Sequence, residues 1–125
     1  MRDDYLALLQ ELQGELTSAG IENSVVEDTE LAAILLLSTG WVLVFEGERY
    51  YGPAFSISVA PTLEDAKRTR GFAVFLLMRV FENISGKRYG KPSIKNQVRF
   101  LAEEKRQIFS DTKNYELEYD RLNEK

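Results

Sequence analysis

Residues 41–60, with the sequence WVLVFEGERYYGPAFSISVA, contain the pattern that decides the fold class. Trp41–Phe45 is rich in β-branched and aromatic residues and predicts a strand, and Glu46–Glu48 predicts the turn after it. The chain is expected to return along Arg49–Tyr51, with a bulge or bend at Gly52-Pro53. Ala54–Ala60 alternates apolar and polar residues, which is typical of a strand with one face in solvent. The middle of the chain therefore predicts a small antiparallel sheet of three to four strands.

Before this sheet, the first 20 residues predict an amphipathic helix, because apolar residues recur at helical spacing and Gly20 follows as a stop. The apolar positions are Tyr5, Leu8, Leu9, Leu12 and Leu16. Ile21–Val26 is compatible with a short strand. Leu31–Leu37 is a short apolar run, and its periodicity leaves both a buried strand and a short helix open.

After the sheet, the sequence predicts helices. Pro61-Thr62 is typical of a capped helix start, and we expect this helix to run to about Ser85, where Gly86 ends it. Its predicted core face consists of Phe72, Phe75, Leu76, Val80 and Ile84, widened by Ala73, Leu77 and Met78. Pro92-Ser93 then begins a second helix, with an apolar stripe formed by Ile94, Val98, Leu101, Lys105 and Ile108. One more short helix is indicated by Tyr115, Tyr119 and Leu122.

These elements predict an α+β fold in which N-terminal and C-terminal helices pack on one face of the sheet. The chain has 125 residues, of which 44% are hydrophobic and 29% are charged, and this is ordinary globular composition. No internal repeat or low-complexity stretch divides the sequence. We therefore expect a single domain over residues 1–125.

The composition excludes several kinds of chemistry. The chain has no cysteine and no histidine, which excludes disulfides, thiolate and imidazole metal ligands, a cysteine nucleophile and a serine–histidine triad. Gly47 and Gly52 are not followed by the Gly-Lys-Ser/Thr pattern of a phosphate-binding loop. The spacing of Glu27, Asp28 and Glu30 matches no metal-binding loop. We expect a protein that is not an enzyme and uses no metal and no cofactor.

Charge is distributed unevenly along the chain, whose net charge is −4. Residues 1–60 contain ten acidic and two basic residues, whereas residues 61–125 contain ten acidic and 14 basic residues. Six acidic residues flank or connect the predicted strands: Glu22, Glu27, Asp28, Glu30, Glu46 and Glu48. A sheet end that carries them would attract a basic protein partner. The alternative is that these carboxylates point in several directions and only keep the domain soluble.

Aromatic residues near these acids are candidate anchors for a partner, because such residues dominate interface energetics. Trp41 begins an apolar strand, which favours a place in the core. Tyr50 and Tyr51 would point to opposite faces of a regular strand, so we expect at most one of them to contact a partner. We take Tyr50 as the candidate.

Two stretches of the sequence carry a resemblance to a known group of proteins. The first runs from Trp41 to Phe81 and is centred on WVLVFEGE and FSISV, and the second is GKRYGKPSIKNQVRFL over Gly86–Leu101. In these stretches and in its overall format, the chain resembles the small cytoplasmic immunity proteins of bacterial contact-dependent growth inhibition and related polymorphic toxin systems. The resemblance implies a non-catalytic protein that binds a cognate toxin domain, often a nuclease, and blocks its active site or substrate path.

Two other functions stay open. A type III secretion chaperone is also small, acidic and α+β, but the predicted helices after Gly86 replace the strands that such chaperones place there. A nucleic-acid-binding regulator would use the basic segment 87–106, in which Lys91, Lys95 and Arg99 follow one another at four-residue spacing. The acidic composition makes nucleic acid an unlikely partner. No long apolar run follows Met1, so we expect no signal peptide, no membrane span and a cytoplasmic location.

Overall fold

The computed structural model describes residues 1–50, 54–68 and 70–124 of the chain. Its strands are β1 (Asn23–Asp28), β2 (Ala32–Leu37), β3 (Val42–Gly47), β4 (Phe55–Ala60) and β5 (Phe72–Ala73). Its helices are α1 (Asp3–Ser18), α2 (Leu63–Lys67), α3 (Val74–Ser85), α4 (Ile94–Glu103), α5 (Lys105–Ile108) and α6 (Glu116–Asn123). A short 3-10 helix covers Thr112–Asn114. The predicted α+β class is confirmed.

The strands form one antiparallel sheet in the order β1-β2-β3-β4-β5, and each strand pairs with the one before it in sequence. Side chains alternate between two faces, which we call the inner and the outer face. The inner face buries Leu35, Leu37, Leu43, Phe45, Ile57, Val59 and Phe72. Helix α1 packs against α4, α4 against α3, and α3 against β4 and α6, so this group of helices covers the inner face. Four of the five predicted apolar positions of α1 are buried, namely Tyr5, Leu9, Leu12 and Leu16.

Helix α2 lies on the outer face of the sheet. It contacts β3 and β4, and Ala66 lines a surface cavity together with Val44 and Ser58, which share one row of the sheet. The ammonium group of Lys67 reaches further along this row to the carboxylate of Glu27 on β1, 2.8 Å away. The prediction that helices cover a single face is therefore wrong.

The single helix predicted from Thr62 to about Ser85 is also wrong, because it is divided into α2, β5 and α3. The start is correctly placed: the Thr62 hydroxyl accepts a hydrogen bond from the backbone N–H of Asp65 at 3.0 Å. At Gly71 the chain comes so close to β4 that an added Cβ would lie 2.8 Å from the carbonyl oxygen of Val59. This approach lets Phe72 pair with β4 as a fifth strand, one more than the predicted maximum.

The core face of α3 agrees with the predicted one in part, since Leu77, Met78 and Val80 are buried as expected. Val74 and Phe81 are also buried, whereas Phe75 and Ile84 are exposed. Nearly every position from 72 to 81 is apolar, so the pattern does not define a single face and tertiary packing decides it. The end of the helix is as predicted, since Gly86 adopts φ 78° as its C-cap.

The fold resolves four further predictions and leaves one outside the described residues. Leu31–Leu37, which the sequence leaves open, is mostly strand β2, and the short strand predicted at Ile21–Val26 is β1. The second predicted helix breaks at Glu104 into α4 and α5, which leaves Lys105 exposed while the apolar positions of its stripe are buried. The bulge or bend predicted at Gly52-Pro53 lies outside the described residues. The short C-terminal helix is confirmed as α6.

Candidate functional site

Three parts of the chain meet at one end of the sheet. The turn between β1 and β2 lies beside the end of β3, because Ala32 pairs with Glu46 and the Gly47 N–H donates to the Leu31 carbonyl at 2.8 Å. The start of α1 joins them, since the Arg2 N–H donates to the Glu30 carbonyl at 2.8 Å. The fold therefore brings the β1–β2 turn, the end of β3 and the N-terminus into one surface.

Five of the six predicted acidic residues lie on this surface, which we call the acidic end: Glu27, Asp28, Glu30, Glu46 and Glu48. Asp3 and Asp4 in the first turn of α1 join them. Glu22 does not, because it precedes β1 and accepts a hydrogen bond from Ser38 at the opposite end of the sheet. At about 3.3 Å per residue, the length of β1 separates Glu22 from Asp28 by about 20 Å. The prediction that all six acids share one sheet end is therefore wrong for Glu22.

Cationic groups of the chain neutralise part of the acidic end. The amino group of Met1 lies 2.8 Å from the Asp28 carboxylate, and Lys67 lies 2.8 Å from Glu27. Arg49 approaches Glu30 more loosely, at 3.8 Å. Sequence reasoning missed these pairs because Lys67 and Met1 are far from their partners along the chain.

Arg2 is held by Asp4 in a two-armed contact, with both nitrogen–oxygen distances at 2.7 Å. This guanidinium holds the pKa of the Asp4 carboxyl below its usual range through a hydrogen bond. Counting all of these groups, the acidic end has seven carboxylates and four cationic groups, so it carries a net charge of −3. The side chains of Glu46 and Glu48 are exposed and make no ion pair with any residue that the structure describes.

The two aromatic candidates described by the structure have different environments. Tyr50 follows the acidic end directly and is 84% exposed, with no hydrogen bond to another described residue. Trp41 is buried and packs on Phe72 and Phe109 at ring-centroid distances of 6.3 and 5.2 Å, so its expected place in the core is confirmed. Tyr51 lies outside the described residues. Tyr50 is therefore an exposed aromatic residue beside the acidic end.

The basic segment forms a separate surface. Lys91, Lys95 and Arg99 are exposed on α4 and the turn before it, and none of them pairs with a carboxylate among the described residues. Lys87 differs, since its ammonium group lies 3.6 Å from Glu104. The molecule thus carries an acidic end and a separate exposed basic helix face.

Glu104 is a buried acidic residue, with 9% of its side chain exposed, and the sequence pattern did not single it out. Its Oε2 accepts a hydrogen bond of 2.5 Å from the Tyr89 hydroxyl, and burial together with this bond raises the pKa of Tyr89 to about 12. A cavity of about 300 Å³ adjoins it, between Phe81 and Tyr115. Tyr89 and Lys87 belong to the linker before α4, and both bind this carboxylate, which lies at the break between α4 and α5. The arrangement therefore holds the linker against that break.

No group of carboxylates within residues 1–50, 54–68 and 70–124 is arranged to hold a metal ion. None of the helices described there has the length and apolar character needed to cross a bilayer. Comparisons of the chain with protein-family models, with curated proteins and with solved structures give no match.

Proposed function

We propose that the protein is a non-catalytic immunity protein, which binds and neutralises a cognate toxin domain of a contact-dependent inhibition system in the cytoplasm. One observation carries the proposal: the acidic end keeps a net charge of −3 after its own ion pairs are counted. A nuclease presents a basic cleft to its polyanionic substrate, and a negative protein surface can occupy such a cleft. Within this surface, Asp3, Glu46 and Glu48 are exposed and make no ion pair with a described residue, so they are available to a partner. Tyr50 is the adjacent aromatic contact.

The proposal requires a toxin domain to be encoded immediately upstream of this chain's gene, and its test is co-expression of the two. The proposal expects cells to survive when both proteins are present and the two proteins to co-purify. Cell death in the presence of the folded protein, or the absence of a complex, would contradict it. If the two proteins form a complex and the cells still die, neutralisation is contradicted but binding is not.

The test of the surface is charge reversal. A variant with Glu30→Lys, Glu46→Lys and Glu48→Lys is expected to associate with the toxin domain about tenfold more slowly at low salt, with a weaker salt dependence. The matched control is Glu11→Lys, Glu103→Lys and Asp120→Lys, which changes the net charge equally at exposed helix positions. Equal slowing in both variants would indicate a general charge effect and contradict a role for the acidic end.

A second candidate function is favoured by Lys91, Lys95 and Arg99, which are exposed and pair with no carboxylate among the described residues. At four-residue spacing these side chains are placed to follow a phosphate backbone, as a nucleic-acid-binding regulator would require. The measurement is binding of duplex and single-stranded nucleic acid at low salt by gel shift. Absence of binding excludes this candidate, whereas binding that is lost in Lys95→Glu supports it over immunity.

A further inference from the structure

The sheet has a long free edge at β1. The strand order ends there, and no segment of the described chain forms backbone hydrogen bonds with the side of β1 that faces away from β2. The opposite edge is different, because β5 has two residues and the Ala73 N–H donates to the Tyr119 hydroxyl at 2.8 Å. An edge strand presents unpaired N–H and C=O groups that can template pairing with another chain. β1 is therefore the edge that can accept a further strand.

The pairing register shows which backbone groups of β1 point outward. Hydrogen-bonded and non-hydrogen-bonded residue pairs alternate along an antiparallel ladder. Ser38 donates to the Glu22 carbonyl, so two residues on, the pair of Ser24 with Leu36 is also of the hydrogen-bonded type. Asn23 and Val25, in the intervening pairs, therefore turn their N–H and C=O groups away from β2.

The far end of β1 shows the same alternation. The Thr29 N–H donates to the Ala32 carbonyl at 2.8 Å, and counting back from this pair places the backbone groups of Asp28 on the outward side. A bulge between Val25 and Glu27 separates the two outward-facing stretches. An added strand therefore has a short straight template at Asn23–Val25 and a second contact point at Asp28.

Apolar side chains accompany this edge. Val25 and Val26 are 42% and 46% exposed, and Leu36 on the neighbouring strand is 45% exposed. Val25 pairs with the inner-face residue Leu35, whereas Leu36 lies on the outer face, so a strand added beside β1 would approach apolar side chains on both faces. Backbone pairing would then be reinforced by side-chain contacts, as in peptide recognition by strand addition.

The charge along the edge indicates the kind of partner. Residues 22–30 contain Glu22, Glu27, Asp28 and Glu30 and no basic residue. If the β1 strands of two copies paired antiparallel, the acidic residues of both strands would lie close together, and the repulsion between like charges would be unfavourable. The chain's own cationic groups already pair with Asp28 and Glu27 and approach Glu30 at 3.8 Å. A basic segment would therefore complement Glu22, which is exposed and makes no ion pair with a described residue, and the loosely paired Glu30. The edge thus favours a basic protein over a second copy of this chain.

We propose that β1 accepts an extended segment of a basic protein as an additional strand, hydrogen bonded to the outward backbone groups of Asn23 and Val25. This inference rests on the proposed function in taking a basic protein as the partner. It adds the mode of recognition and places the contact along the sheet edge, between Glu22 and the acidic end.

The first test uses a blocked, fluorescent peptide of about eight residues with alternating lysine and valine, long enough to span the strand. The control peptide has the same sequence with methylated backbone nitrogens, so it keeps the charge but cannot donate to the edge. Anisotropy titration of the native protein is expected to show at least about tenfold weaker binding of the methylated peptide. Equal binding of both peptides, or binding of neither, overturns strand addition.

The second test changes the protein. Val25→Pro removes an outward N–H without removing a bond to β2, which is where an edge strand tolerates proline, and Val25→Thr keeps that N–H. The proline variant is expected to bind the lysine–valine peptide at least about tenfold more weakly than the threonine variant, with both retaining cooperative unfolding. If Val25→Pro does not fold, the comparison of the methylated and unmethylated peptides on the native protein still tests strand addition.

The outcomes separate this inference from the proposed function. Equal peptide binding by the folded proline and threonine variants overturns strand addition even when the toxin domain is still neutralised. Failure of rescue contradicts immunity, whatever the peptide does. A concentration-dependent dimer of the native protein that Val25→Pro dissociates would assign the edge to a second copy and also overturn the inference.

Discussion

The phenolic oxygen of Tyr5 lies 2.6 Å from the backbone oxygen of Glu48 and 2.9 Å from its backbone nitrogen. The hydroxyl group thus both donates to and accepts from the same residue, and it also lies 2.9 Å from the Ala54 carbonyl oxygen. The Tyr5 side chain is fully buried and packs edge-on against Phe45. One side chain of α1 therefore ties Glu48 to Ala54 and, with them, the backbone that presents Glu46 and Glu48.

Removing this hydroxyl should destabilise the fold. In Tyr5→Phe, the part-buried carbonyl of Glu48 loses its close donor, while its N–H keeps the Ala54 carbonyl as an acceptor at 3.0 Å, so we expect the free energy of unfolding to fall by about 0.5–1.5 kcal/mol. Urea denaturation measures the change. The control is Tyr50→Phe, whose exposed hydroxyl has no hydrogen bond to a described residue and should be within about 0.5 kcal/mol of the native protein. Equal stability of Tyr5→Phe and the native protein would contradict this account.

The ring of Tyr5 packs directly against the backbone of Gly47 at the end of β3. A Cβ added at Gly47 would lie 2.5 Å from Cζ of Tyr5, so either the ring or the strand must shift. We expect Gly47→Ala to lower the free energy of unfolding by about 1–3 kcal/mol, as overpacking does. The matched control is Gly14→Ala, which meets nothing within 4 Å inside α1 and should stabilise the protein by about 0.5–1 kcal/mol. The same sign of change in both variants would contradict the packing argument.

The sequence predicted the parts of the fold that depend on local patterns. The alternation over Ala54–Ala60 and the helical spacing in α1 correspond to regular elements whose apolar faces point to one core. It could not predict the division of residues 62–85, because the apolar run from 72 to 78 fits both a strand and a helix. The close approach of Gly71 to Val59 decides the matter, and that contact is set by tertiary structure.

The candidate site was predicted only in part, for a similar reason. Acidic residues near turns are visible in the sequence, but which turns meet depends on pairing register, and Glu22 lies at the other end of the sheet. Ion pairs between distant residues, such as Lys67 with Glu27, also lie beyond pattern reasoning. Whether Glu46, Glu48 and Tyr50 contact a partner stays a prediction.

Glu82 should make stability depend on acidic pH. Its carboxylate is 8% exposed, accepts the Tyr89 N–H at 2.9 Å and contacts Arg79 at 2.7 Å, and these groups hold its pKa below the ordinary value of 4.5. A carboxyl whose pKa falls on folding stabilises the protein above its unfolded pKa and loses this effect as the pH drops through the folded value. We therefore expect Glu82→Gln to lower the free energy of unfolding by about 1–3 kcal/mol at neutral pH, and by less in acid.

Urea denaturation of both proteins at about pH 7 and about pH 3 measures this difference on either side of the ordinary glutamate pKa. The control is Glu64→Gln, because the ion pair of Glu64 with Arg68 is exposed and should contribute about 0.5 kcal/mol or less. A deficit in Glu82→Gln that is the same at both pH values would assign its role to packing and contradict the electrostatic one.

Tyr89 should make stability depend on alkaline pH in the opposite sense. Burial and the hydrogen bond to Glu104 raise its pKa from 10.0 to about 12. A group whose pKa rises on folding contributes stability that is complete below the unfolded pKa and is lost as the pH rises through the folded value. We therefore expect the native protein to lose more stability than Tyr89→Phe when the pH is raised from about 9 to about 12.

The phenolate absorbance of the native protein minus that of Tyr89→Phe isolates the titration of Tyr89, since the other tyrosines cancel. Burial is the larger cause of the shift and the Glu104 bond the second, so Glu104→Gln should lower the pKa of Tyr89 while leaving it above 10. Exposed Glu103, one position earlier, provides the control Glu103→Gln, which should move the pKa less. If Glu103→Gln shifts the pKa as much as Glu104→Gln, general negative charge rather than the buried hydrogen bond raises it.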